Sequence, residues 1–597
     1  MLLLISCHLN ILAQGKIITG VILDKTGETV IGASVLVKGT TNGTITDVDG
    51  NFTLNNVQEN AVLQVSFVGY KTQDIALKGQ SNVKVTLEED TEVLDEVVVI
   101  GYGSVKKSTL TGAVAKMDTK GIQDRPLARP ETALQGQLAG VTVRTTTGEP
   151  SADMQIRVRG AASVNANSDP LYVVDGVPMT TLSGINPADI ASIEVLKDAA
   201  SAAIYGIGAA DGVILITTKK GVEGKPRITY EGSYSVQKRY SYGMNRLNSQ
   251  EYMNMVNLFG KENYLFINEQ YPYGNVGYDG KWTPVFTSEQ IANATTTDWL
   301  SYVLKTGQVN NQNLTISGGS KTLRYYLGLN YYDEDGVVRN AGMQRYSLRT
   351  NISAQLFSFL KLTTIANLNH NKYSNSTVGG DTGNQGNSAA GSLYTAMNYA
   401  PYLAIYDNMG EYTIFGREPN PLAALQIRDG SKQSSYYVNF ALDIDIIKDM
   451  LSAKLLYGVN KENGKRSAYI PKDVYWGLVR KSRGSLGYNE RQYETMEGTL
   501  SFRHKFWNMI DVNAVAGMGR YLDKGTGMTV SYQNANDMIN DSNLAAADGP
   551  FSPTSYKYEN EKRSQFLRAS FDVLDRYVLT GTLRRDGTDK FFPDKKY

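Results

Sequence analysis

The residues that usually carry chemistry are scarce in this chain. Its 597 residues include one cysteine, Cys7, and three histidines, His8, His370 and His504. Cys7 sits in an apolar leader, so disulfides and cysteine metal sites are excluded from the rest. The histidines are far apart and lack ligand-like spacing, which argues against a histidine metal centre or a Ser-His pair. Asp175 and Glu194 could be offered as a catalytic carboxylate pair. Nothing in the sequence brings them together, and a turn acid and a strand acid are the ordinary explanation. The Gly-rich run Gly206 to Gly212 could cradle a phosphate, but it follows a helix instead of leading a strand into one. Asp47-Val48-Asp49-Gly50 resembles the start of a calcium loop. An EF-hand needs further oxygen ligands and a late bidentate Glu between helices, whereas strands flank this run, so a hairpin turn is expected. No catalytic residue, metal or cofactor is therefore expected, and a secreted hydrolase would need clustered groups that are missing here.

What remains is binding chemistry. Val97, Val98, Val99 and Ile100 are consecutive β-branched residues behind the acids Asp95 and Glu96, and Gly101-Tyr102-Gly103 follows. They read as one more buried strand, or as a segment that adds to the edge of a partner's sheet through main-chain hydrogen bonds. Their position, between a complete small domain and a motif-rich block, favours the second reading.

The elements around them are predominantly β. The chain has 38 Tyr and 57 Gly against 16 Pro, and aromatics suit pleated surfaces while Gly serves turns. Its 60 basic and 59 acidic residues balance at +1, which argues against nucleic-acid binding. Residues 1–15 read as a secretory signal with small Ala13 near its cleavage point. This leader lacks a positive start, so it is expected to be incomplete; Leu4-Ile5-Ser6-Cys7 is a lesser, lipobox-like alternative. Past the leader no apolar run reaches the roughly 18 residues of a spanning helix, so any membrane crossing must use a barrel.

Residues 16–88 show short strands between Gly-rich turns, the pattern of a small β-sandwich. Residues 89–103 form the extended segment around Val97–Ile100. In residues 104–221, a short helix is expected from Glu131 through Ala139, ended by Gly140. Gln155-Ile156-Arg157-Val158-Arg159-Gly160 and the strand-turn Pro170–Pro178, with Asp175-Gly176 at its tip, follow. Asn186 to Asp189 opens a second short helix. A strand Ser192–Lys197 contains Glu194 and Lys197, and Asp198 caps a helix Ala199–Tyr205. Gly206 to Gly212 turns into the strand Val213–Thr218. From residue 222 the chain alternates with period two. Leu323, Tyr325, Leu327, Leu329 and Tyr331 share one face, and Arg324, Tyr326, Gly328, Asn330 and Tyr332 the other. Leu348, Thr350 and Ile352 likewise oppose Ser347, Arg349 and Asn351. Such alternation with aromatics near strand ends marks a transmembrane barrel, although a large soluble β-protein would alternate too. The polar stretches Ser374–Gly391 and Ser531–Ser555 read as extracellular loops.

Several of these stretches resemble a known family. "GVILDKTGETVIGASVLVKGT", "DVDGNF" and "SFVGY" are similar to carboxypeptidase-D regulatory-like domains, a name that implies no peptidase activity. "DEVVVIGYG" and "INPADIASIEVLKDAASAAIYGIGAADGVILITTKKG" resemble the tether and plug of SusC-like (SusC/RagA-type) TonB-dependent outer-membrane transporters. "NLTISGGSKTLRYYLGLNYYDEDGVVRN" and "RYSLRTNISA" resemble their first barrel hairpins. The resemblance implies a TonB box at Asp95, Glu96, Val97, Val98, Val99 and Ile100. It implies plug motifs at Arg157, Arg159, Gly160, Asp175, Gly176, Glu194, Lys197, Asp198, Tyr205, Gly206 and Gly212. Where the family usually shows "YGARAANG", this chain has Gly208 for the arginine and Asp211 for the asparagine, so a charge contact between plug and barrel is expected to be lost.

The implied fold is mainly β: a sandwich, a small α+β plug and an incomplete transmembrane antiparallel barrel over 222–597. Plugged transporters need about 22 strands, and this stretch offers about half at a roughly ten-residue repeat, so an N-terminal fragment is expected. The implied function is TonB-dependent import of glycan oligomers or peptides across the outer membrane. The implied partners are TonB with its inner-membrane motor, a SusD-like surface lipoprotein and membrane lipid, and the alternative is a passive pore or surface-binding protein on the same barrel. No substrate residue is legible, and the small signalling domain of regulatory receptors is not recognisable.

Overall fold

The computed structural model describes residues 15–590 except 26, 41, 68–69, 89–96, 101–102, 107–113, 118–126, 146–148, 151–153, 161–167, 180, 241–245, 270–279, 376–391, 417, 475–480, 508, 535–542 and 575. Two compact units divide the chain, Met1–Val98 with Val105–Ser108 and Val99–Ser104 with Thr109–Tyr597.

The first unit holds short strands whose alternate residues are apolar. β1 (Lys16–Leu23), β4 (Asn51–Val57) and β7 (Asn82–Thr86) make one sheet, and β2 (Ser34–Val37), β3 (Gly43–Ile45), β5 (Val62–Ser66) and β6 (Gln73–Ala76) the other. Ile18, Ile22, Val35, Leu54, Leu63 and Val85 are buried in its core. The Asp47 run is a turn, as expected: Asp47 Oδ1 accepts from the amides of Asp49 at 3.0 Å and Asn51 at 2.8 Å. It passes from β3 to β4, which lie in different sheets, so it is not a hairpin. β8 (Val97–Ile100) pairs with β9 (Gly103–Lys106) in a two-stranded ribbon, while Asp95 and Glu96 lie outside the described residues.

The second unit has an inner and an outer part. The inner part contains β10 (Val114–Met117), β11 (Val141–Thr145), β12 (Met154–Val158), β13 (Leu171–Val174), β14 (Val177–Met179), β15 (Ile190–Leu196) and β16 (Val213–Thr218). Its central sheet runs β10-β15-β16-β13-β14, and β11-β12 form a separate ribbon. Leu134, Ile156, Val174, Ile193 and Ile214 are fully buried between them. Two expected helices are shorter than expected. Only Pro130–Ala133 is α-helical in the first, because Gly136 takes φ +72° in mid-segment. The second is α-helical over Ala199–Ala202 and then tightens to a 3-10 turn over Ala203–Ala209, broken at Gly206.

The outer part is one eleven-stranded antiparallel sheet in sequence order. Its strands are β17 (Gly224–Gln237), β18 (Gly307–Gly319), β19 (Leu323–Asp335), β20 (Gly342–Phe357), β21 (Leu360–Ser374), β22 (Arg428–Ile447), β23 (Leu451–Ile470), β24 (Arg483–Phe506), β25 (Ile510–Gln533), β26 (Phe551–Val573) and β27 (Tyr577–Thr588). One end of the sheet is closed by tight turns at 320–322, 358–359 and 448–450, with only three residues between β24 and β25 and between β26 and β27, and longer connections lie at the other, the hallmark of outer-membrane barrels. One of these, between β17 and β18, carries the helix Ser249–Ile267, with an Asn248/Glu251 capping box that the sequence reading missed. The expected loop Ser531–Ser555 is shorter than expected: Tyr532 pairs with Phe551 and Met528 with Ser555, leaving 534–550 as the connection. Of the expected loop Ser374–Gly391, Ser374 ends β21 and residues 376–391 lie outside the described residues. No described helix is long and apolar enough to cross a membrane.

Candidate functional site

The burial of this sheet is inverted relative to a soluble protein. On β20, Arg345, Arg349 and Asn351 are each 1% exposed, whereas Ile352 and Leu356 on the opposite face are 45% and 49% exposed. β19 repeats the pattern, with Tyr326, Asn330 and Tyr332 buried and Leu323 and Leu329 exposed. Charged side chains are almost never fully buried without a partner. The partner here is the inner part, seated against the polar face, and the apolar face is left for lipid.

Asp175 and Gly176 take φ of +48° and +89° in a two-residue turn between β13 and β14. An Asp-Gly pair is favoured there because both residues must adopt positive φ. The turn presents the Asp175 carboxylate to the wall, where Arg349 Nη2 meets Oδ2 at 2.9 Å. Thr218, at the end of β16, donates its hydroxyl to Oδ2 at 2.7 Å and its amide to Oδ1 at 3.0 Å. Arg349 also donates to the Thr218 hydroxyl. The same turn is held through its main chain: Tyr437 donates to the Val174 carbonyl at 3.2 Å and Asn439 to that of Asp175 at 3.3 Å.

A second cluster lies beside it. Asn186 caps the 3-10 turn Pro187–Asp189 by accepting from the Ala188 amide. Its Nδ2 donates to Asn313 Oδ1 at 3.1 Å, and Asn330 donates to the same oxygen at 2.8 Å. Arg345 bridges this amide chain to the Ala128 carbonyl and lies over the Tyr332 ring. Asp189 accepts from Tyr326 Oη at 2.7 Å. Burial pushes its carboxyl above the usual range, against the pull of Arg349, the Tyr326 hydrogen bond, Lys219 and Arg345.

The third contact concerns the missing plug arginine. Gly208 is exposed, and a Cβ there would meet open space. The wall supplies a guanidinium nearby: Arg584 on β27 donates to the Ile204 carbonyl and pairs with Asp586 at 2.9 Å. Gly206, at φ +74°, lets this pair approach, since a Cβ there would fall on Asp586 Oδ2. The expected loss of a charge contact is thus offset by one made from the opposite side.

The other sequence-flagged residues lie within the inner part. Arg157, Arg159 and Gly160 are exposed, with Arg159 donating its amide to the Gly140 carbonyl at 2.9 Å. Glu194 is buried on β15, and Lys197 donates to the Ala139 carbonyl. Asp198 Oδ1 caps the Ser201 amide at 2.9 Å. Tyr205 packs with Ile204, Val515 and Phe566, and Gly212 sits where a Cβ would press on Val158. Asp175 and Glu194 serve separate contacts: Asp175 meets the wall, while Glu194 sits mid-strand on β15. The sequence reading missed Arg345, Arg349, Tyr326 and Arg584. Their signal was an arginine on the polar face of an alternating strand, where a lumen would otherwise be lined by small polar groups.

Two family descriptions match the chain: the CarboxypepD_reg-like domain over residues 18–99 and the TonB-dependent Receptor Plug Domain over 106–213. The chain is 31% identical over 614 residues to TonB-dependent receptor P3 of Formosa agariphila, covering 100% of this chain and 57% of that one. It is 31% identical over 634 residues to TonB-dependent receptor SusC of Bacteroides thetaiotaomicron, covering 98% and 58%. A structure of the RagAB peptide importer in the 'open-open' state matches at TM-score 0.67 and 25% identity, over 84% of this chain and 57% of that chain. The chain thus spans under three-fifths of the length of each of these proteins. Because the likeness runs through the inner part and the wall alike, it places the chain in the SusC-like family of TonB-dependent outer-membrane receptors.

Proposed function

We propose that this chain provides the plug and part of the wall of an importer that brings glycan oligomers or peptides across the outer membrane, drawing on TonB. The reading divides the chain into a leader (1–15), a sandwich (16–88), a tether (89–103), a plug (104–221) and barrel wall (222–597). Residues Asp95 to Ile100 serve as the TonB box. The observation that carries it is the plug seated on a polar wall by the buried Arg349–Asp175 pair. A plug held by a few buried polar contacts can be released by a pull, because each contact is strong when made and costly when half-made. A SusD-like surface lipoprotein shares the substrate, a partner that the likeness to SusC-like receptors supports. Val97–Ile100 has the extended form that edge-strand pairing with TonB requires. The protein performs no covalent chemistry. Deleting residues 95–100 in the producing bacterium, with the protein's level in the outer membrane checked, should abolish growth on the transported oligomer. Uptake that survives the deletion would favour a passive pore.

A further inference from the structure

We propose that the outward face of the wall binds a net-anionic phosphorylated lipid in the outer leaflet, at a row of three lysines. The proposal rests on the outer-membrane location of the chain. Lys372 on β21 is directly opposite Lys432 on β22, which is directly opposite Lys465 on β23. All three are exposed and lie on the face away from the lumen, since Asn371, Tyr437 and Asn460, on the opposite faces of the same strands, are buried.

Like charges directly opposite one another destabilise a sheet, and nothing described within the protein offsets this row. None of the three has an ion-pair partner among the described residues. The outward carboxylates nearby are engaged elsewhere: Glu490 pairs with Lys461 at 2.7 Å and Asp335 with Lys305. Asp333 accepts from Tyr331 at 3.3 Å.

The row lies at the level of lipid headgroups. From it β21 and β22 run into the long connection 375–427, and β23 into 471–482, while the tight turns 358–359 and 448–450 close the far end. In outer-membrane barrels the long connections face the exterior. Towards the midplane the register places His370, bonded to Ser434 at 2.9 Å, and then Leu368 and Tyr436. A shallow groove of about 630 Å³ opens there, lined by Tyr331, Tyr346, Leu348, Leu368, His370 and Tyr436 among others. A free phosphate would use the lysines without the groove, and a neutral lipid the groove without the lysines. A phosphorylated amphiphile with net negative charge uses both.

The test is native mass spectrometry of the full chain in detergent micelles, titrated separately with phosphatidylglycerol, phosphatidylcholine and inorganic phosphate. Phosphatidylglycerol should be retained preferentially. The triple variant Lys372→Gln, Lys432→Gln, Lys465→Gln should lose roughly a hundredfold in that affinity, and the triple Lys→Arg variant should keep it. If the triple Gln variant does not assemble, Lys432→Gln alone decides in the same way through a loss of several-fold. Equal retention of the two lipids, unchanged binding by the Gln variants, or displacement of phosphatidylglycerol by inorganic phosphate would each overturn the proposal.

Discussion

Removing one partner of the Arg349–Asp175 pair should loosen the plug far more than removing both. Arg349 is 1% exposed and the Asp175 side chain 4%, with 2.9 Å between them. Arg349 Nε and Nη1 find no hydrogen-bond partner among the described residues, so Asp175 and the Thr218 hydroxyl carry most of its compensation. Asp175→Asn keeps an acceptor for the Thr218 amide and removes the charge. Breaking a buried pair in this way costs about 3–5 kcal/mol, whereas replacing both members by neutral groups of similar volume is often neutral or stabilising. The Thr218 amide, bonded to Asp175 Oδ1 at 3.0 Å, reports the event. Its hydrogen exchange, followed by mass spectrometry of peptides spanning β16, should accelerate roughly a hundredfold to several thousandfold in Asp175→Asn. The same peptide in Asp175→Asn/Arg349→Met should exchange within about tenfold of the parent. Exchange at the parent rate in the single variant, or simple addition of the two substitutions, would show that the pair does not hold the plug in this way. Either outcome would mean that solvent or neighbouring groups already compensate Arg349.

Three further outcomes are expected. Gly206→Ala should destabilise the plug by about 1–3 kcal/mol, since the residue sits at φ +74° against Asp586; a lowered urea midpoint checks this, and an unchanged one would show that Arg584 can withdraw freely. Leu329→Arg, on the exposed apolar face, should cost about 2–4 kcal/mol near the midplane and cut the amount assembled in the membrane, whereas normal yield would argue against lipid contact. Asp189 has a raised carboxyl, so its native state holds a proton more readily than its unfolded state. Its contribution is therefore most favourable below the unfolded value of about 3.9 and is lost as pH rises through the native one. Asp189→Asn should be at least as stable as the parent at neutral pH, and the gap in urea midpoint should narrow on acidification. A gap that widens instead would contradict the assignment.

Much of this molecule was legible residue by residue. Alternation along β19 and β20 sorted Leu329 from Asn330 and Ile352 from Asn351, because a pleated strand sends successive side chains to opposite faces. Asp175-Gly176 announced a tight turn, and Gly206 to Gly212 a turn into the strand Val213–Thr218. The helix expectations were weaker. Gly136 interrupts the first segment and the second tightens to a 3-10 turn after Ala202, so Pro130–Ala133 and Ala199–Ala202 are barely one turn each.

The sequence by itself determined the order of the domains' motifs, the period of each strand and the two chemically distinct faces of the wall, since these follow from local backbone geometry and residue type. Only the tertiary structure decided which face is buried, and with whom. Period-two alternation is the same whether the apolar face meets a core or a lipid. Asp175 and Arg349 stand 174 positions apart, and Ile204 and Arg584 stand 380 apart. Partners at such separations are set by sheet register and by the seating of the plug, which no local pattern encodes.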